Sequence, residues 1–459
     1  MRILFYSTSS NRYDGSLIKT AAFPAWAEQW DALAHSHAEH EFIIATQLPG
    51  MFLLDVEGNG ISRRSGRIEY HLIQSDDERA VAEELARLGP DVAAALSFYV
   101  MPYDWLPVKD AMVADFLRGL GVRTVCHSVE TALICFDKWR AHCFLERAGV
   151  RCPKAVLLHH ELWINAGNRR GSRGNVYRSA VLHEMRKLRF PVIVKDTTGL
   201  SSSGADVAPT ADEARAVLCS RRTTSDRIIE EMAAGEQFGA EIYGSAGRYT
   251  VFPPFMLSVN KYGITSPRQS VKIGAFTWDD DALSARYKLG GLKETLLRLA
   301  EGLGLDGVAQ VDLVFDGEDW LVIEINPRLS GMSATYAASA RRPLSELIFD
   351  GLGLGGEGGT AESVFRPAAS VKFPPLDEAR LRELASLPYM SFVSQIENGA
   401  ARQIRERGYC EAVVTGDTAE SLRENLLDLK ERFPDEAGES LLETAVMLAE
   451  KLSGAATAL

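Results

Sequence analysis

Three polar side chains lie in sequence runs that are otherwise apolar and read as strands. Asp312 lies within VAQVDLVF, and Glu324 and Asn326 lie two residues apart within WLVIEIN. Residues two apart in a strand point to the same face of a sheet. Carboxylates among valines and leucines are costly to bury unless they are paired or bind a metal. Three oxygen ligands on neighbouring strands indicate a Mg²⁺ site, and an ion-pair network with Arg328 is the alternative.

A shared face sets a condition on the hairpin that joins these two strands. Directly opposed residues of an antiparallel pair share a face, and their numbers have a constant sum until a bulge intervenes. Asp312 must therefore oppose an even-numbered residue such as Glu324. A regular two- or four-residue turn around 316–319 would make the sum odd. The sequence therefore predicts a three- or five-residue connection centred on Glu318, or a bulge next to it, with Asp-Gly opening the turn.

A second group of candidates lies about a hundred residues earlier. Lys195 ends the apolar run PVIVK and is followed by the loop DTTGLSSSGADV. Small residues let backbone N–H groups and hydroxyls close over an anion, while the lysine supplies a positive charge. Phosphate binding is one interpretation of this pattern, which by itself leaves others open.

The elements that must position these residues follow from hydrophobic patterning. The first 125 or so residues alternate short β-like runs (3–6, 42–46, 92–100 and 122–127) with helical stretches (21–35, 78–88 and 108–119), which predicts a parallel sheet. Further strands are predicted at 191–195, 227–232, 308–315, 320–326, 369–373 and 410–416. Further helices are predicted at 137–147, from 212, and at 291–302, 377–386, 418–432 and 437–452.

Composition excludes several classes of protein. The 459 residues carry 62 acidic and 50 basic side chains, a net charge of −12, which disfavours nucleic acid or anionic lipid as the main partner. No apolar run approaches the roughly 20 residues of a membrane span, and the N-terminus does not resemble a secretory signal. Six cysteines form no Cys-x-x-Cys pair. We therefore expect a cytoplasmic protein with reduced cysteines.

Several segments together resemble the ATP-grasp superfamily, over about 137–340. They are DKWRAHCFLERAGV, the Lys195 strand and loop, IIEEMAAGEQFGAEI and EINPRLSGMSA. The whole length, including CEAVVTGDTAESLRENLLDLKERF, resembles the L-amino-acid ligases, which are carboxylate–amine ligases.

The resemblance implies an α/β protein in which an N-terminal parallel-sheet, Rossmann-like domain precedes the two-lobed α+β ATP-grasp fold and a C-terminal α/β extension. The implied domains are an N-terminal domain at 1–127, a first lobe with the nucleotide lid and phosphate loop at 128–235, a second lobe with the Mg²⁺ and catalytic residues at 236–350, and a C-terminal segment at 351–459.

The resemblance also implies ATP and Mg²⁺ as cofactors, with two ions and Mn²⁺ as a substitute. Lys138 and Lys195 would contact phosphates, Glu230 the adenine amino group, the Glu231 and Met232 backbone the ring edge, and Gln237 the ribose. The implied ATP-binding residues are Lys138, Lys195, Ser201, Ser202, Ser203, Gly204, Glu230, Glu231, Met232 and Gln237. The implied metal ligands are Asp312, Glu324 and Asn326, and the implied catalytic residues are Arg328, Lys272 and Arg268.

The implied activity is ligation of an amino-acid or peptide carboxylate to an amine through an acyl phosphate, with release of ADP and phosphate. The expected partners are therefore small molecules, neither nucleic acid nor membrane, and a homodimer is possible. A carboxylase or carbamoyl-phosphate-type enzyme that uses bicarbonate is the alternative. A nucleotide-binding regulator without turnover is a third interpretation, which the full set of metal-type residues disfavours.

Overall fold

A computed structural model provides the coordinates. It describes residues 1–8, 15–18, 20, 22–47, 56–57, 60–61, 66–98, 106–165, 175–199, 205–220, 223–259, 270–274, 276–278, 281–355, 363–396, 409–434 and 439–453.

The N-terminal part alternates strands and helices, as its sequence predicts. Its strands are β1 (Arg2–Ser7), β2 (Gly15–Ile18), β3 (Glu41–Thr46), β4 (Val56–Glu57), β5 (Gly60–Ile61), β6 (Ile68–Leu72), β7 (Val92–Ala95) and β8 (Arg123–Val125). Its helices are α1 (Trp26–Ser36), α2 (Glu78–Ala86), α3 (Leu106–Gly119) and α4 (Val129–Phe136). The strand predicted at 92–100 ends at Ala95, and residues 99 and 100 lie outside the described residues.

Five of these strands form a parallel sheet in the order β6-β3-β1-β7-β8, which confirms the predicted N-terminal architecture. Alternate residues of β1 enter different cores. Phe5 packs with Trp30 of α1, whereas Leu4 packs with Val81 of α2 and Val113 of α3. The sheet is therefore covered by helices on both faces, as parallel sheets usually are.

The next segment builds a small antiparallel sheet. It contains α5 (Lys138–Arg147), β9 (Ala155–Leu158), α6 (His160–Asn165), α7 (Val176–Met185), β10 (Val192–Asp196), β11 (Asp206–Ala208), α8 (Ala211–Leu218) and β12 (Arg227–Glu231). The strand order is β11-β10-β12-β9. One face is apolar and packs on α7 and α8, and the other face carries Lys195 and Glu230.

The rest of the chain builds a ten-stranded sheet. Its strands are β13 (Glu236–Ser245), β14 (Arg248–Val251), β15 (Phe255–Leu257), β16 (Ser270–Gly274), β17 (Gly307–Phe315), β18 (Trp320–Asn326), β19 (Ala368–Phe373), β20 (Met390–Ile396) and β21 (Tyr409–Thr415), joined by β2. The helices are α9 (Asp281–Tyr287), α10 (Leu289–Leu303), α11 (Ser333–Ala340), α12 (Leu344–Gly351), α13 (Glu378–Ser386), α14 (Ala419–Arg432) and α15 (Glu439–Leu452).

The described strands of the C-terminal segment, β19, β20 and β21, all belong to this sheet. The order is β18-β17-β13-β15-β16-β19-β21-β20-β2, with β14 paired to β13. The join is the antiparallel pairing of β16 with β19, in which Lys272 lies opposite Ser370. The domain boundary predicted at 350 therefore falls within one continuous sheet.

The two faces of the ten-stranded sheet differ in polarity. One face is apolar and joins the largest core of the molecule. Its residues include Phe238, Ala240, Val311, Leu313, Val271, Ile273, Val371 and Ala412. The opposite face carries the polar residues that alternate with them. These are Gln237, Glu241, Lys272, Gln310, Asp312, Glu324, Asn326, Ser370, Lys372 and Glu411. We call this second surface the polar sheet face.

The β17–β18 hairpin meets the shared-face condition by a bulge. Asp312 lies directly opposite Glu324, as predicted, but Leu313 lies opposite Val322, so the register shifts between Asp312 and Leu313. The predicted three- or five-residue connection is wrong: Phe315 pairs with Trp320, which leaves a four-residue turn. The bulge lies beside Asp312 and not beside the turn. One extra residue on β18 restores the even sum where the carboxylates need it.

The turn itself is built as its residues suggest. The Asp316 carboxylate accepts hydrogen bonds from the backbone N–H groups of Glu318 and Asp319, and Gly317 has a φ of +94°. A positive φ favours glycine, and this geometry explains why Asp-Gly opens the turn. Among the described residues, no helix is both long enough and apolar enough for a membrane span.

Candidate functional site

The three predicted metal ligands converge at one end of the polar sheet face. Asp312 and Glu324 are directly opposed, and Asn326 Nδ2 lies 3.5 Å from Asp312 Oδ2. Gln310, opposite Asn326, also donates to Asp312. In the part of the chain that the structure describes, no group of three or more His, Cys, Asp or Glu side chains is placed to hold a metal ion. The set described here differs, since it combines two carboxylates with an amide. Hard oxygen donors of this kind suit Mg²⁺.

Two lysines from other elements reach these carboxylates. Lys138, the first residue of α5, places Nζ 3.1 Å from Glu324 Oε1 and 2.8 Å from the carbonyl oxygen of Gly199, to which it donates. Its backbone N–H donates to the Thr197 carbonyl oxygen. Lys138 therefore links the start of the predicted phosphate loop to the metal-type carboxylates.

The charges around this cluster perturb its carboxyl groups in opposite directions. Burial raises the pKa of the Asp312 carboxyl to about 7, and the negative charge of Glu324 adds to the rise. Burial acts on Glu324 in the same sense, but Lys138 and Lys195 outweigh it and hold the pKa of Glu324 below its usual value. Carboxylates that are kept close despite mutual repulsion are typical of functional sites.

Lys195 binds Glu230 across the small antiparallel sheet. Lys195 Nζ lies 2.5 Å from Glu230 Oε2, and the Glu230 side chain is only 7% exposed. Burial would lower the pKa of Lys195, but the charge of Glu230 outweighs it and raises the pKa, with Glu324 and Asp312 adding to the rise. Lys195, the predicted phosphate contact, and Glu230, the predicted adenine contact, thus form an ion pair with each other. The charges of Asp312 and Glu324 act on this pair.

Two of the predicted adenine contacts, the backbone N–H groups of Glu231 and Met232, already have hydrogen-bond partners. The backbone N–H of Glu231 donates to Lys154, and that of Met232 donates to Pro191. Neither N–H group is available to a purine while these bonds persist. Glu236 binds Tyr287 and Lys451, whereas Gln237 lies on the polar sheet face, so of these neighbours Gln237 is the one on the site's face.

A second charged group lies farther along the polar sheet face. Lys272 Nζ donates to the Gly331 carbonyl oxygen at 2.8 Å and lies 3.3 Å from Glu411, and Lys372 Nζ lies 3.4 Å from Glu411. Lys372 also lies over the Tyr409 ring at 4.4 Å. These three charged side chains are at most 14% exposed. We call Lys272, Lys372 and Glu411 the lysine pair site.

Arg328 connects the two groups. It follows β18 and donates to Asn326 Oδ1 at 3.1 Å and to the Leu329 carbonyl oxygen at 3.0 Å. Gly331, three residues later, lies so close to the lysines that a Cβ there would stand 3.2 Å from Lys272 Nζ. The segment 327–332 therefore runs from the metal-type residues to the lysine pair site.

Residues 135–332 match the family description of the ATP-grasp domain. This chain contains an ATP-grasp domain. The matched segment begins just before α5 and ends at the segment that carries Arg328, so it includes every candidate described so far except Lys372, Glu411, Tyr409 and Lys451.

Curated relatives are similar over the ATP-grasp domain and its surroundings. The carbamoyl phosphate synthase large chain of Thermoplasma volcanium is 25% identical over 193 residues, which cover 41% of this chain and 18% of that protein. The D-alanine–D-alanine ligase of Halalkalibacterium halodurans is 25% identical over 231 residues, or 50% of this chain and 70% of that protein. The chain thus spans less than a fifth of the first relative.

Solved structures resemble the whole chain in fold. An N5-carboxyaminoimidazole ribonucleotide synthetase from Thermus thermophilus has a TM-score of 0.61 at 15% identity, covering 94% of this chain and 98% of that one. An L-amino acid ligase from Bacillus licheniformis has a TM-score of 0.61 at 14% identity, covering 94% and 97%. At these identities the likeness shows the fold, which confirms the predicted ATP-grasp architecture.

Several predicted site residues lie outside the described residues. These are Arg268 and the phosphate-loop residues Ser201, Ser202, Ser203 and Gly204. Among those that are described, the structure brings together Lys138, Lys195, Glu230, Asp312, Glu324, Asn326 and Arg328. Lys272 lies at the lysine pair site, bound to Gly331 and Glu411.

Sequence reasoning missed the residues that the C-terminal segment supplies. In β19 and β21 the polar residues Lys372 and Glu411 alternate with apolar residues such as Val371 and Ala412. This alternation predicts that the two strands have a polar face, and the sequence offers no other signal for these residues. It does not reveal that the polar face adjoins Lys272, because the pairing of β16 with β19 joins residues about a hundred positions apart.

Glu241 is another residue that sequence reasoning missed. Its fully buried carboxylate accepts hydrogen bonds from Ser330 Oγ at 2.6 Å, Ser333 Oγ at 2.7 Å and Tyr243 OH at 2.9 Å. Ser330 lies in the segment 327–332, and Ser333 begins α11. Because their hydroxyls donate to Glu241, they anchor the segment 327–332 to the sheet.

Proposed function

We propose that this ATP-grasp protein is a carboxylate–amine ligase that couples an amino-acid or peptide carboxylate to an amine and releases ADP and phosphate. The observation that supports it is the opposite charge of the two groups on the polar sheet face. Asp312 and Glu324 form an acidic group suited to a metal, and Lys272 and Lys372 outnumber their one carboxylate, Glu411. The proposed metal–nucleotide end and the proposed anion end would then share one surface, with Arg328 between them.

ATP would lie between the small antiparallel sheet and the polar sheet face. Lys138 and Lys195 would exchange their carboxylate partners for phosphate oxygens, and Asp312, Glu324 and Asn326 would hold Mg²⁺, or Mn²⁺ in its place. When bound, the metal supplies charge neutralisation for phosphoryl transfer. Superfamily members are ADP-forming ligases that use ATP and Mg²⁺, which supports this assignment.

The lysine pair site would hold the carboxylate to be activated. A carboxylate oxygen attacks the γ-phosphorus, the bond from that phosphorus to the bridging oxygen breaks, and ADP leaves. The amine then attacks the acyl carbon, loses a proton and displaces phosphate. Arg328, with a planar set of donors, would bind the oxyanion or the departing phosphate.

The proposal is tested by coupled measurement of ADP and phosphate with pairs drawn from the twenty amino acids. Hydroxylamine in place of the amine should trap the acyl phosphate as a hydroxamate. Glu324→Gln, which lacks the charge of a proposed metal ligand, is the negative control. Nucleotide binding without ADP formation for any pair would contradict the proposal and favour the regulator.

A bicarbonate-using carboxylase is the second candidate. A solved biotin carboxylase domain with MgADP, ADP and bicarbonate has a TM-score of 0.56 to this chain, and the two lysines of the lysine pair site would also suit a small anion such as bicarbonate. Turnover in bicarbonate-depleted buffer separates the two candidates. Loss of activity that added bicarbonate restores would favour the carboxylase.

We further propose that the partners are small molecules and that the protein acts in the cytoplasm, without nucleic-acid or membrane partners. The net charge of −12 supports the exclusion of nucleic acid. One relative in fold was solved as a domain dimer, which supports a homodimer here. Light scattering of the purified protein at several concentrations tests that assembly.

A further inference from the structure

An aromatic side chain lies beside the lysine pair site on the polar sheet face. Tyr409, the first residue of β21, is two residues from Glu411, so the two side chains point to the same face of the sheet. The residues that alternate with them, Cys410 and Ala412, belong to the largest core on the opposite face. Tyr409 therefore faces the same space as the two lysines.

The register of the sheet brings the Tyr409 ring to Lys372. Lys372 pairs directly with Glu411 across β19 and β21, which places Tyr409 on the diagonal. Diagonal neighbours in a sheet lie within reach of long and aromatic side chains. Lys372 Nζ lies 4.4 Å from the centre of the Tyr409 ring and 3.4 Å from Glu411 Oε2. The ammonium group is therefore held by a ring face and a carboxylate.

The two lysines of the site are held in different ways. Lys272 Nζ donates hydrogen bonds to the Gly331 carbonyl oxygen at 2.8 Å and to Glu411 Oε1 at 3.3 Å. Lys372 is held by its ion pair with Glu411 and by the Tyr409 ring, and no hydrogen bond from its ammonium group to a described residue supplements them. An ammonium group has three N–H donors, so Lys372 keeps donors for an incoming anion.

The ring restricts a side chain that would otherwise be mobile. A lysine has many rotamers, and fixing one of them costs conformational entropy when an anion binds. The Lys372 side chain is only 12% exposed, and attraction between a cation and a ring is stronger where little water competes. Lys372 Nζ is held 3.9 Å from where a Cβ on Gly331 would stand, so it faces the segment that carries Arg328. The site is thus ordered before an anion arrives.

We propose that Tyr409 is a positioning residue for the carboxylate substrate, because its ring holds the Lys372 ammonium group that binds this carboxylate. The inference rests on the ligase function proposed above and deepens it with a residue that sets carboxylate affinity through Lys372. The cation lies over the ring, so the ring face carries the effect and the hydroxyl does not. Phenylalanine should therefore replace Tyr409, and leucine should not.

The first test compares these two substitutions in steady-state kinetics. Tyr409→Leu should raise the KM for the carboxylate about fivefold and leave the KM for ATP unchanged, whereas Tyr409→Phe should match wild type. Phe116→Leu is the matched control, since it removes a ring that lies 4.8 Å from the Arg79 guanidinium in the N-terminal part of the chain. Equal losses in Tyr409→Leu and Tyr409→Phe would overturn the proposal, because the hydroxyl would then carry the effect.

A double-mutant cycle separates positioning from packing. If the ring acts through Lys372, Tyr409→Leu should add nothing to the rise in carboxylate KM that Lys372→Met causes. A merely structural ring would raise this KM equally in both backgrounds, which would contradict the proposed role. If Tyr409→Leu fails to fold, Tyr409→Met takes its place, because the flexible methionine side chain fills irregular space without an aromatic ring.

Binding of acetate, a carboxylate that needs no turnover, gives a readout that does not depend on ligation. Isotope labelling of the lysine ε-carbons makes Lys372 visible by NMR, and Lys372→Met identifies its signal. The ring current of Tyr409 should shift this signal in wild type and in Tyr409→Phe, but not in Tyr409→Leu. Acetate should bind about fivefold more weakly to Tyr409→Leu than to wild type.

These readouts distinguish failure of the positioning role from failure of the ligase. Acetate affinity that depends on the ring, without ADP formation for any pair of substrates, would refute the ligase alone. Ligation with the same carboxylate KM in wild type and in Tyr409→Leu would refute the positioning role alone. A Lys372 signal that does not respond to acetate in wild type would also overturn that role.

Discussion

The two ends of the polar sheet face differ in how their charges are balanced. At the metal end, Asp312 and Glu324 belong to the sheet. Besides Arg328, which follows β18, the cations that neutralise them come from α5 and from the small antiparallel sheet. At the lysine pair site, Lys272, Lys372 and Glu411 all belong to the ten-stranded sheet. The first balance depends on how two layers meet, and the second is built into one layer.

This difference suggests different roles for the two ends. We infer that Lys138 and Lys195, which lie on other layers, would exchange their carboxylate partners for the phosphates of a nucleotide. Lys272 and Lys372 both belong to the sheet, and Lys272 also donates to the Gly331 carbonyl oxygen, so the lysine pair site is suited to receive an anion at a fixed position. Four substitutions test this comparison.

Glu324→Gln should have the largest effect. An amide cannot supply the charge that balances Lys138 and holds a metal, so phosphate release should fall on the order of 100-fold or more, while ATP affinity changes modestly. Steady-state phosphate release and calorimetry with ATP measure the two quantities. Glu318→Gln, at the exposed turn of the same hairpin, is the control, and retained turnover with Mg²⁺ would place the metal elsewhere.

Lys195→Met should weaken nucleotide binding by about 10- to 100-fold, because it removes a charged donor that we propose binds phosphate. The structure adds a cost, since Glu230 would remain buried without its partner, which destabilises by about 3–5 kcal/mol. The double variant Lys195→Met with Glu230→Gln removes that charge and should recover stability but not affinity. Lys187→Met, an exposed substitution, is the control. Unchanged ATP affinity in the double variant would show that Lys195 does not contact the nucleotide.

Lys372→Met should raise the KM for the carboxylate substrate about tenfold and leave ATP affinity unchanged. Lys372 belongs to the fixed end, so it should affect the anion and not the nucleotide. Initial rates with each substrate varied in turn measure the change in each KM, with the exposed Lys187→Met as the control. An equal rise in both KM values would mean that the two ends do not act separately.

Glu411→Gln should have the smallest effect and a distinct pH signature. Burial and the charge of Lys372 already hold the pKa of Lys272 below its usual value, and Glu411 opposes that shift. Removing Glu411 lowers the pKa of Lys272 further, so Lys272 loses its proton at a lower pH as the pH rises. Carboxylate affinity should therefore decline at lower pH than in wild type, which KM measured across the alkaline range would show. An unchanged profile would contradict the proposed role of Lys272.

The chain by itself determined the elements and the chemistry of the metal end. Alternation of strand and helix predicted the N-terminal parallel sheet, and apolar runs interrupted by Asp312, Glu324 and Asn326 predicted a polar face with oxygen ligands. These signals are local, because side-chain direction in a strand repeats every two residues.

Only the tertiary structure decided how those elements meet. The hairpin has a bulge beside Asp312 where the sequence predicted an odd-length turn. One extra residue at either position brings Asp312 and Glu324 to the same face, so the sequence pattern does not distinguish the two solutions. The lysine pair site depends on the pairing of β16 with β19, and the contact of Lys138 with Glu324 depends on how two layers meet. Such contacts join residues that are far apart in the chain, and no local pattern of residues encodes which distant strand or layer a polar face will meet.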